Sequence, residues 1–238
     1  MEKEQMISLL EAHGHVSHVD MIHLLEKDCC SVLFADPDIG IALRHPCGTV
    51  YAAEFSSEIA PLARAVEDAV LLNSEGRLLA EYFMKGKGWE FKEECWTYRY
   101  DPAKGYLDEG PWHHRLMDEG DLPVLRKHYG GVPEDSLLGY IERKDVYALL
   151  DGNGNIMGFA GFHPEGSMGL LEIFPEYRRR GLGTAMESFV INEAMRRGSV
   201  PFCNVYVSND ASIMLQRDLG LDRGDIMSWW VWPPYCRS

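Results

Sequence analysis

Apolar and polar residues alternate with two different periods along the first part of the chain. Residues 5–26 follow helical spacing, with a break near His13-Gly14-His15. Turn-rich DPDIG and PCG then separate three β-rich runs and predict a three-stranded meander, formed by SVLFA, IALRH and TVYAAEF. Helical spacing returns from Ile59 to Met84, where GRLLAEYFMKG is a second short helix. Residues alternate again in WEFKEECWTYRY, which predicts a strand.

A Pro/Gly-rich segment, DPAKGYLDEGP at residues 101–111, interrupts these patterns. We therefore expect an N-terminal α/β domain over residues 1–105 and a second domain over residues 111–238. In the second part the predicted strands are WHHRLMD, VYALLD, IMGFAGFH, SMGLLEIF, PFCNVYV and IMSWWVW. Helices are predicted for DLPVLRKHY, VPEDSLLGYIER, the segment after Gly181 and ASIMLQRDLG. Strands and helices thus mix, with GNGN closing a central antiparallel hairpin.

Composition and charge narrow the class of protein. The chain has 238 residues, of which 46% are hydrophobic and 11% aromatic, as in a packed globular protein. Its formal net charge of -14 argues against nucleic-acid binding, because a phosphate backbone binds a basic surface. The acidity is compatible with an amine or cationic substrate, although it commonly serves solubility alone. No apolar stretch approaches the roughly 20 residues of a membrane span, so we expect no membrane partner.

The cysteines and histidines do not indicate a metal or redox centre. No pair of cysteines has C-x-x-C spacing. We expect them to be small core residues of a reduced, cytoplasmic protein, because the first residues lack the features of a signal peptide. These cysteines are residues 29, 30, 47, 95, 203 and 236. Four histidines have only Asp20 as a further nearby ligand, so we expect surface or helix-end histidines and no metal. They are His13, His15, His18 and His23.

Three tryptophans alternate along the last predicted strand, at residues 229, 230 and 232. Core and interface packing explains them without a cofactor. They could also contribute to the interface of a homodimer.

The turn before one predicted helix contains the strongest chemical signal. Three arginines at residues 178–180 precede Gly181 and Gly183 at the helix start. A helix N-terminus already carries partial positive charge, so three more cations are unfavourable there unless an anion occupies the turn. Glycines let a ligand approach the free backbone N–H groups of residues 180–184. A phosphate or pyrophosphate suits such a turn.

Three known phosphate-binding patterns share features with this turn, and one of them is matched fully. A Walker loop requires Gly-Lys-Ser/Thr, whereas Gly183 is followed by Thr184. The dinucleotide pattern G-x-G-x-x-G fails at Met186, and too few residues follow for the rest of a dinucleotide fold. The pattern [Q/R]-x-x-G-x-[G/A] between a strand and a helix is matched fully by residues 178–183.

That pattern, preceded by Pro175-Glu176-Tyr177, resembles the GNAT superfamily of acyl-CoA-dependent N-acyltransferases. The family has a bulged strand before the motif and a later segment, N-x-x-A-x-x-L-Y-x-x-x-G-F. Residues 209–221 are similar to that segment and keep its asparagine, first leucine and glycine. The resemblance covers residues 111–238, and PEYR with the C-terminal tryptophans is similar to the glycine N-acyltransferase branch.

The resemblance implies an α/β (α+β) GNAT fold, with a mixed, mostly antiparallel, splayed sheet flanked by helices. The additional N-terminal α/β half could be a degenerate relative of the same fold. The pantetheine arm of acetyl-CoA would lie in the gap of the sheet, paired with the main chain of residues 172–174. Residues 178–184 would hold the pyrophosphate, and Asn209 would touch the arm. The implied coenzyme-binding residues are Ile173, Phe174, Arg178, Arg179, Arg180, Gly181, Leu182, Gly183, Thr184, Asn209 and Ser212.

Acyl transfer to an amine requires a base, a polarised thioester carbonyl and a proton for the leaving thiolate. The candidate base is Glu172, in the strand ahead of the motif, with an edge ion pair as the alternative interpretation. Many family members have a tyrosine as the acid where this chain has Gln216, which can hydrogen-bond a sulfur but cannot deliver a proton. Solvent, Ser212 or Tyr206 could supply that proton, or the chain could bind acyl-CoA without efficient turnover.

The sequence therefore predicts an N-acetyltransferase that needs no metal. Acetyl would pass from acetyl-CoA to a primary amine of a small molecule or peptide, by direct attack in a ternary complex. A non-catalytic, regulatory acyl-CoA-binding module is the alternative hypothesis.

Overall fold

The computed structural model describes residues 1–130 and 133–234, and only the main chain of Lys92. The helices are α1 (Lys3–Gly14), α2 (Val19–Glu26), α3 (Ala60–Ala65), α4 (Arg77–Lys87), α5 (Leu122–His128), α6 (Glu134–Glu142), α7 (Leu182–Arg196) and α8 (Asp210–Asp218). The strands are β1 (Ser31–Asp36), β2 (Gly40–Arg44), β3 (Thr49–Glu54), β4 (Leu71–Glu75), β5 (Glu90–Arg99), β6 (His113–Leu116), β7 (Val146–Leu150), β8 (Ile156–Phe162), β9 (Met168–Ile173), β10 (Phe202–Tyr206) and β11 (Asp222–Trp232). Within the described ranges, no helix has the length and apolar character needed to cross a membrane.

The chain folds into two compact units that interleave along the sequence. Unit 1 contains Met1–Arg99, Asn204–Met214 and the described residues from Leu221 onwards, and unit 2 contains Tyr100–Cys203 and Leu215–Gly220. These units do not coincide with the expected division into residues 1–105 and 111–238. The physical reason is β11, which pairs with β4 and β5 and so belongs to the sheet of unit 1.

A seven-stranded sheet forms the centre of unit 1, in the order β1-β2-β3-β4-β11-β5-β10. The predicted meander is confirmed, because β2 pairs antiparallel with both β1 and β3. Parallel pairing of β3 with β4 is continuous from Thr49–Leu71 to Ala53–Glu75. Trp229 lies in the apolar core on one face of this sheet, and Trp230 packs against the core on the other. Trp229 and Trp230 thus serve core packing, as expected.

Strand β4 corrects the helical reading of residues 59–84. Helix α3 ends at Ala65, and the segment Leu71–Glu75 is a strand parallel to β3. The sequence did not indicate it because Asn73, Ser74 and Glu75 are polar, yet all three are buried. Polar residues inside a central strand remove the alternation on which strand prediction depends.

The cysteines are only partly the core residues that we expected. Cys95 and Cys203 are buried, two others are half-buried, and Cys47 is exposed. Cys236 lies outside the described residues.

His18 and His23 lie at helix ends, one of the two expected positions, because His18 is the N-cap of α2 and His23 is in its last turn, but both are buried. His18 Nδ1 forms a short contact with a carboxylate oxygen of Glu75, and both side chains are 1% exposed. Asp20 is buried beside them, and burial raises its pKa well above the usual value. Desolvation lowers the pKa of His18 to about 4. Unit 1 therefore contains a buried cluster of three ionisable groups between α2 and the sheet.

Glu75→Gln is expected to stabilise the protein at alkaline pH. Burial raises the pKa of Glu75 from 4.5 to about 7. A raised folded-state pKa favours folding at low pH, and this contribution is lost as the pH rises through about 7. Glutamine still accepts a hydrogen bond from His18 but cannot ionise. The variant should therefore gain about 2–3 kcal/mol over the wild type between about pH 5 and pH 8. Chemical denaturation at both pH values measures this gain, and parallel pH dependences of the two proteins would contradict it.

Unit 2 is built on a four-stranded antiparallel sheet in the order β6-β7-β8-β9. Helices α5 and α6 pack on the face that carries Val146 and Phe159. Tyr147, on the opposite face of β7, contacts Phe189 of α7. Helix α7 therefore covers the second face, where it packs against β8 and β9.

The predicted break at residues 101–111 is attached to α7 by hydrogen bonds. The Asn192 side chain accepts from the Leu107 N–H and donates to the Leu107 carbonyl, both at 2.9 Å. Glu109 accepts further hydrogen bonds from Asn192 and Arg196. This segment thus has a defined position within unit 2.

Candidate functional site

Strand β9 contains a β-bulge just before the predicted anion-binding turn. Gly169 pairs with Gly161 and Glu172 pairs with Phe159, so two residues of β9 oppose one residue of β8. Leu170, inside the bulge, has a left-handed φ of 60°. The bulged strand expected from the family resemblance is therefore confirmed. Bulges of this kind interrupt regular pairing and increase local twist.

The outer edge of β9 is open in the part of the chain that the structure describes. The strand is the last of its sheet, so no described strand pairs with that edge. An unpaired edge offers main-chain N–H and C=O groups to an extended ligand. The position of β9 thus fits the predicted pairing of residues 172–174 with a pantetheine arm, which stays a prediction.

The turn after β9 leads into α7 through two left-handed residues. Arg179 has a φ of 63° and Gly181 a φ of 74°. The first hydrogen bond of α7 joins Ala185 N to Gly181 O at 3.1 Å. The N–H groups of residues 182–184 therefore lack helical acceptors, and Gly181 has no side chain to cap them. This is the local geometry that binds phosphate groups at helix N-termini.

Gly183 leaves the space at this helix start open. A Cβ atom added there would meet no atom within 4 Å, and its φ is not in the left-handed region. Gly181 also faces open space. Its positive φ is one that glycine adopts readily and other residues rarely adopt. Around them Leu182 is buried and Thr184 is exposed. The protein therefore leaves the space beside both glycines open at the start of α7.

The three arginines have different surroundings. Arg178 donates to the Ile173 carbonyl at 2.8 Å and to Glu172 Oε1 at 2.7 Å. Arg180 donates to a main-chain carbonyl at 3.3 Å and lies over the Tyr177 ring. Arg179 is exposed and makes no hydrogen bond or ion pair with the described residues. Arg179 is thus available to bind an anion, whereas Arg178 connects the turn to β9.

Glu172 lies in an ion pair at the end of β9. Its side chain is 27% exposed, and the guanidinium of Arg178 occupies Oε1. Oε2 has no hydrogen bond to the described residues. The edge ion pair considered from the sequence is therefore present, and one carboxylate oxygen remains able to accept a proton.

Gln216 is buried, and its partner was not anticipated. Its side-chain amide nitrogen donates to Glu187 Oε1 at 2.9 Å, and the two residues are 3% and 4% exposed. Sequence reasoning missed Glu187 because a glutamate within a predicted helix is ordinarily expected on the exposed face. Helix α7 is instead buried on nearly all sides from Ala185 to Asn192. The sequence did contain one signal: Glu187 follows Gly183 by about one helical turn and so lies on the same side of α7.

Asn209 and Ser212 belong to unit 1, whereas the other predicted site residues belong to unit 2. The Asn209 side chain accepts a hydrogen bond from the Ser212 N–H at 3.1 Å. This is an N-cap interaction at the start of α8. Their predicted contact with the coenzyme stays a prediction.

Across the described ranges, no group of three or more His, Cys, Asp or Glu side chains could hold a metal ion.

Comparison with protein families identifies one match. The model of the acetyltransferase (GNAT) family matches residues 91–221, more than half of the chain. No curated protein sequence matches the chain significantly.

Solved structures share the fold at low sequence identity. A Drosophila protein from a structural genomics consortium aligns with a TM-score of 0.67 and 13% identity, over 98% of this chain and 97% of its own. A GCN5-related N-acetyltransferase from Kribbella flavida aligns with a TM-score of 0.60 and 15% identity, over 93% and 96%. A GCN5-related N-acetyltransferase-like protein from Streptococcus suis gives 0.55 and 13%, over 95% and 99%. Because these alignments span nearly the whole chain, the architecture of both units is shared.

Proposed function

Because the chain belongs to the GNAT acetyltransferase family, we propose that it transfers acetyl from acetyl-CoA to a primary amine. Family membership implies acyl-CoA-dependent N-acyltransferase activity. The proposal adds the acetyl group, the amine and direct attack within a ternary complex. Acetyl is the default donor, since nothing in the sequence indicates a longer acyl chain. The acceptor is a small molecule or peptide, consistent with a net charge of -14 that disfavours nucleic acid.

One observation carries this proposal: the open N-terminus of α7 follows a bulged edge strand directly in the chain. Gly183 leaves room for a ligand, and three N–H groups lack acceptors. A pyrophosphate would satisfy those N–H groups and gain from the helix dipole. The arm of the coenzyme would then extend along the free edge of β9. A ligand with both an anionic and an extended amide-bearing part fits this arrangement, and coenzyme A has both.

The chemistry assigned to this chain's residues begins with Glu172. Its free Oε2 would take a proton from the attacking ammonium, directly or through a water molecule. Arg178 would keep the carboxylate at the end of β9. Main-chain N–H groups of the bulged strand would polarise the thioester carbonyl. Gln216 has no acidic proton, so solvent would protonate the leaving thiolate.

A non-catalytic acyl-CoA-binding module is the second candidate function. It is favoured by Gln216, which is buried against Glu187 and cannot serve as a general acid. Both candidates require coenzyme A to bind at the start of α7. They differ in whether an amine accelerates release of the thiol.

The release of free thiol from acetyl-CoA, measured with a panel of amines, amino acids and peptides, tests the proposal. We expect an amine-dependent rate above the slow hydrolysis seen without acceptor. Gln216→Ala should retain a measurable part of this rate, because Gln216 is not the acid in this scheme. Tight binding of coenzyme A without turnover for any acceptor would favour the regulatory module. Absence of coenzyme A binding would refute both candidates.

A further inference from the structure

We propose that Glu187 is a positioning residue that orients the Gln216 amide, so that its carbonyl oxygen accepts a hydrogen bond from an N–H group of the bound ligand. The donor is an amide N–H of the pantetheine arm or an N–H of the acceptor amine. This inference rests on the proposed function and adds a binding contact to it.

The orientation of the amide follows from the chemistry of its partner. An ionised carboxylate only accepts hydrogen bonds, so the nitrogen of Gln216 must face it. The observed contact is Gln216 Nε2 to Glu187 Oε1, at 2.9 Å. The opposite atom, Oε1 of Gln216, is therefore directed away from Glu187.

Oε1 of Gln216 is a buried acceptor that the protein does not satisfy. It has no hydrogen-bond partner among the described residues. Buried polar atoms almost always have a partner, so an unsatisfied one requires an explanation. An N–H donor from a ligand would satisfy it. Gln216 also occupies the place of the tyrosine in the family segment. Unlike a tyrosine, it has no acidic proton, but its carbonyl oxygen can accept a hydrogen bond from the ligand.

The burial of Glu187 is costly, and no cation among the described residues pairs with its carboxylate. It is 4% exposed, and desolvation raises its pKa despite the hydrogen bond from Gln216. A neighbouring thiol, Cys203, is buried as well. Strand β8 has no titratable side chain, and the carboxylate of Glu172 on β9 is paired with Arg178. An apolar residue would fill this place in the core at lower cost, which points to a specific task for the carboxylate.

The location of the pair fits such a task. Glu187 lies one turn beyond Gly183 on α7, the helix whose start is the proposed pyrophosphate site. Gln216 and Glu187 both belong to unit 2, so the pair has a fixed relation to that helix start. The Gln216 amide thus contacts the same helix whose N-terminus would hold the ligand.

Three variants of the full-length protein test this role. Glu187→Leu removes the partner of the amide. Glu187→Gln keeps an acceptor but cannot ionise. Glu193→Gln makes the same chemical change on the same helix, at a glutamate that pairs with Arg196, Arg197 and Tyr147 instead. Each is assayed for binding of coenzyme A and of ADP, which has the pyrophosphate but no pantetheine arm, and for the KM of the amine found in the thiol-release assay.

If the N–H belongs to the pantetheine arm, Glu187→Leu should weaken coenzyme A binding about 5- to 20-fold and leave ADP binding unchanged. If it belongs to the amine, coenzyme A binding should stay constant, and the KM of the amine should rise about 5- to 20-fold with little change in kcat. In the wild type the affected quantity should worsen as the pH falls through the pKa of Glu187, since a protonated carboxyl no longer requires the amide nitrogen. Glu187→Gln should bind as the wild type does at low pH and lose this pH dependence, because its amide, like a protonated carboxyl, can face either end of the Gln216 amide.

Unchanged coenzyme A binding and amine KM in folded Glu187→Leu would overturn the inference and leave the proposed function intact. An equal loss of ADP and coenzyme A binding would also overturn it, because it would indicate a general disturbance of α7. The same effects in Glu193→Gln would argue against a role specific to Glu187. Failure of the wild type to bind coenzyme A would refute the proposed function and this inference together.

Discussion

Replacing Gly183 by valine is expected to lower the affinity for coenzyme A by about 100-fold or more, while the protein stays folded. The new side chain would occupy the open space at the start of α7, where a Cβ atom meets no protein atom within 4 Å. Since the Cβ atom meets no protein atom, the expected loss comes from a clash with the pyrophosphate. The φ of Gly183 is not left-handed, so valine adds no such strain. Isothermal titration with coenzyme A measures the effect.

Gly86→Val is the matched control for this change. Gly86 also lies in a helix, α4 of unit 1, and a Cβ there likewise meets nothing within 4 Å. Both variants should have similar thermal stability, and only Gly183→Val should lose binding. Normal coenzyme A affinity of Gly183→Val would show that the pyrophosphate is not held at this helix start.

Replacing Glu172 by glutamine is expected to reduce kcat by roughly 100-fold or more, as for removal of a general base. Glutamine can still accept the hydrogen bond from Arg178, so the turn should keep its position. Coenzyme A binding should therefore change less than about threefold, within the usual effect of a surface ion pair. Thiol-release kinetics and titration with coenzyme A separate the two quantities.

Glu176→Gln is the control for charge. Glu176 is an exposed glutamate of the same turn whose side chain makes no ion pair in the described structure. It should behave as wild type in both assays. If Glu172→Gln retained full kcat, the ion pair with Arg178 would be structural and the base would be another group.

The anion-binding turn could be predicted from the sequence because its signals are local. Two glycines and a helix start lie within a few residues of one another, and their geometry depends on backbone rules. The bulge in β9 was expected only through the family resemblance. By contrast, the contact between Gln216 and Glu187 joins residues that are 29 positions apart. No local pattern reveals such a pair, because packing decides which side chains of α7 are buried.

Unit 1 was harder to predict for the same reason. Strand β4 was missed because three of its residues are polar and yet buried, and nothing local in the sequence indicates their burial. Glu75 meets His18 across a separation of 57 positions. The interleaving of the two units depends on β11, whose partners β4 and β5 precede it by more than half of the chain's length.

The central place of β11 has a consequence for the biogenesis of the protein. The strand lies between β4 and β5, so the sheet of unit 1 has an unfilled position until Trp232 has left the ribosome. Until then β4 and β5 expose unpaired edges, which are templates for aggregation. Unit 2 requires only residues up to Gly220 and can complete its packing earlier. The nascent chain is therefore expected to complete unit 2 before unit 1, with the edges of β4 and β5 open in the interval.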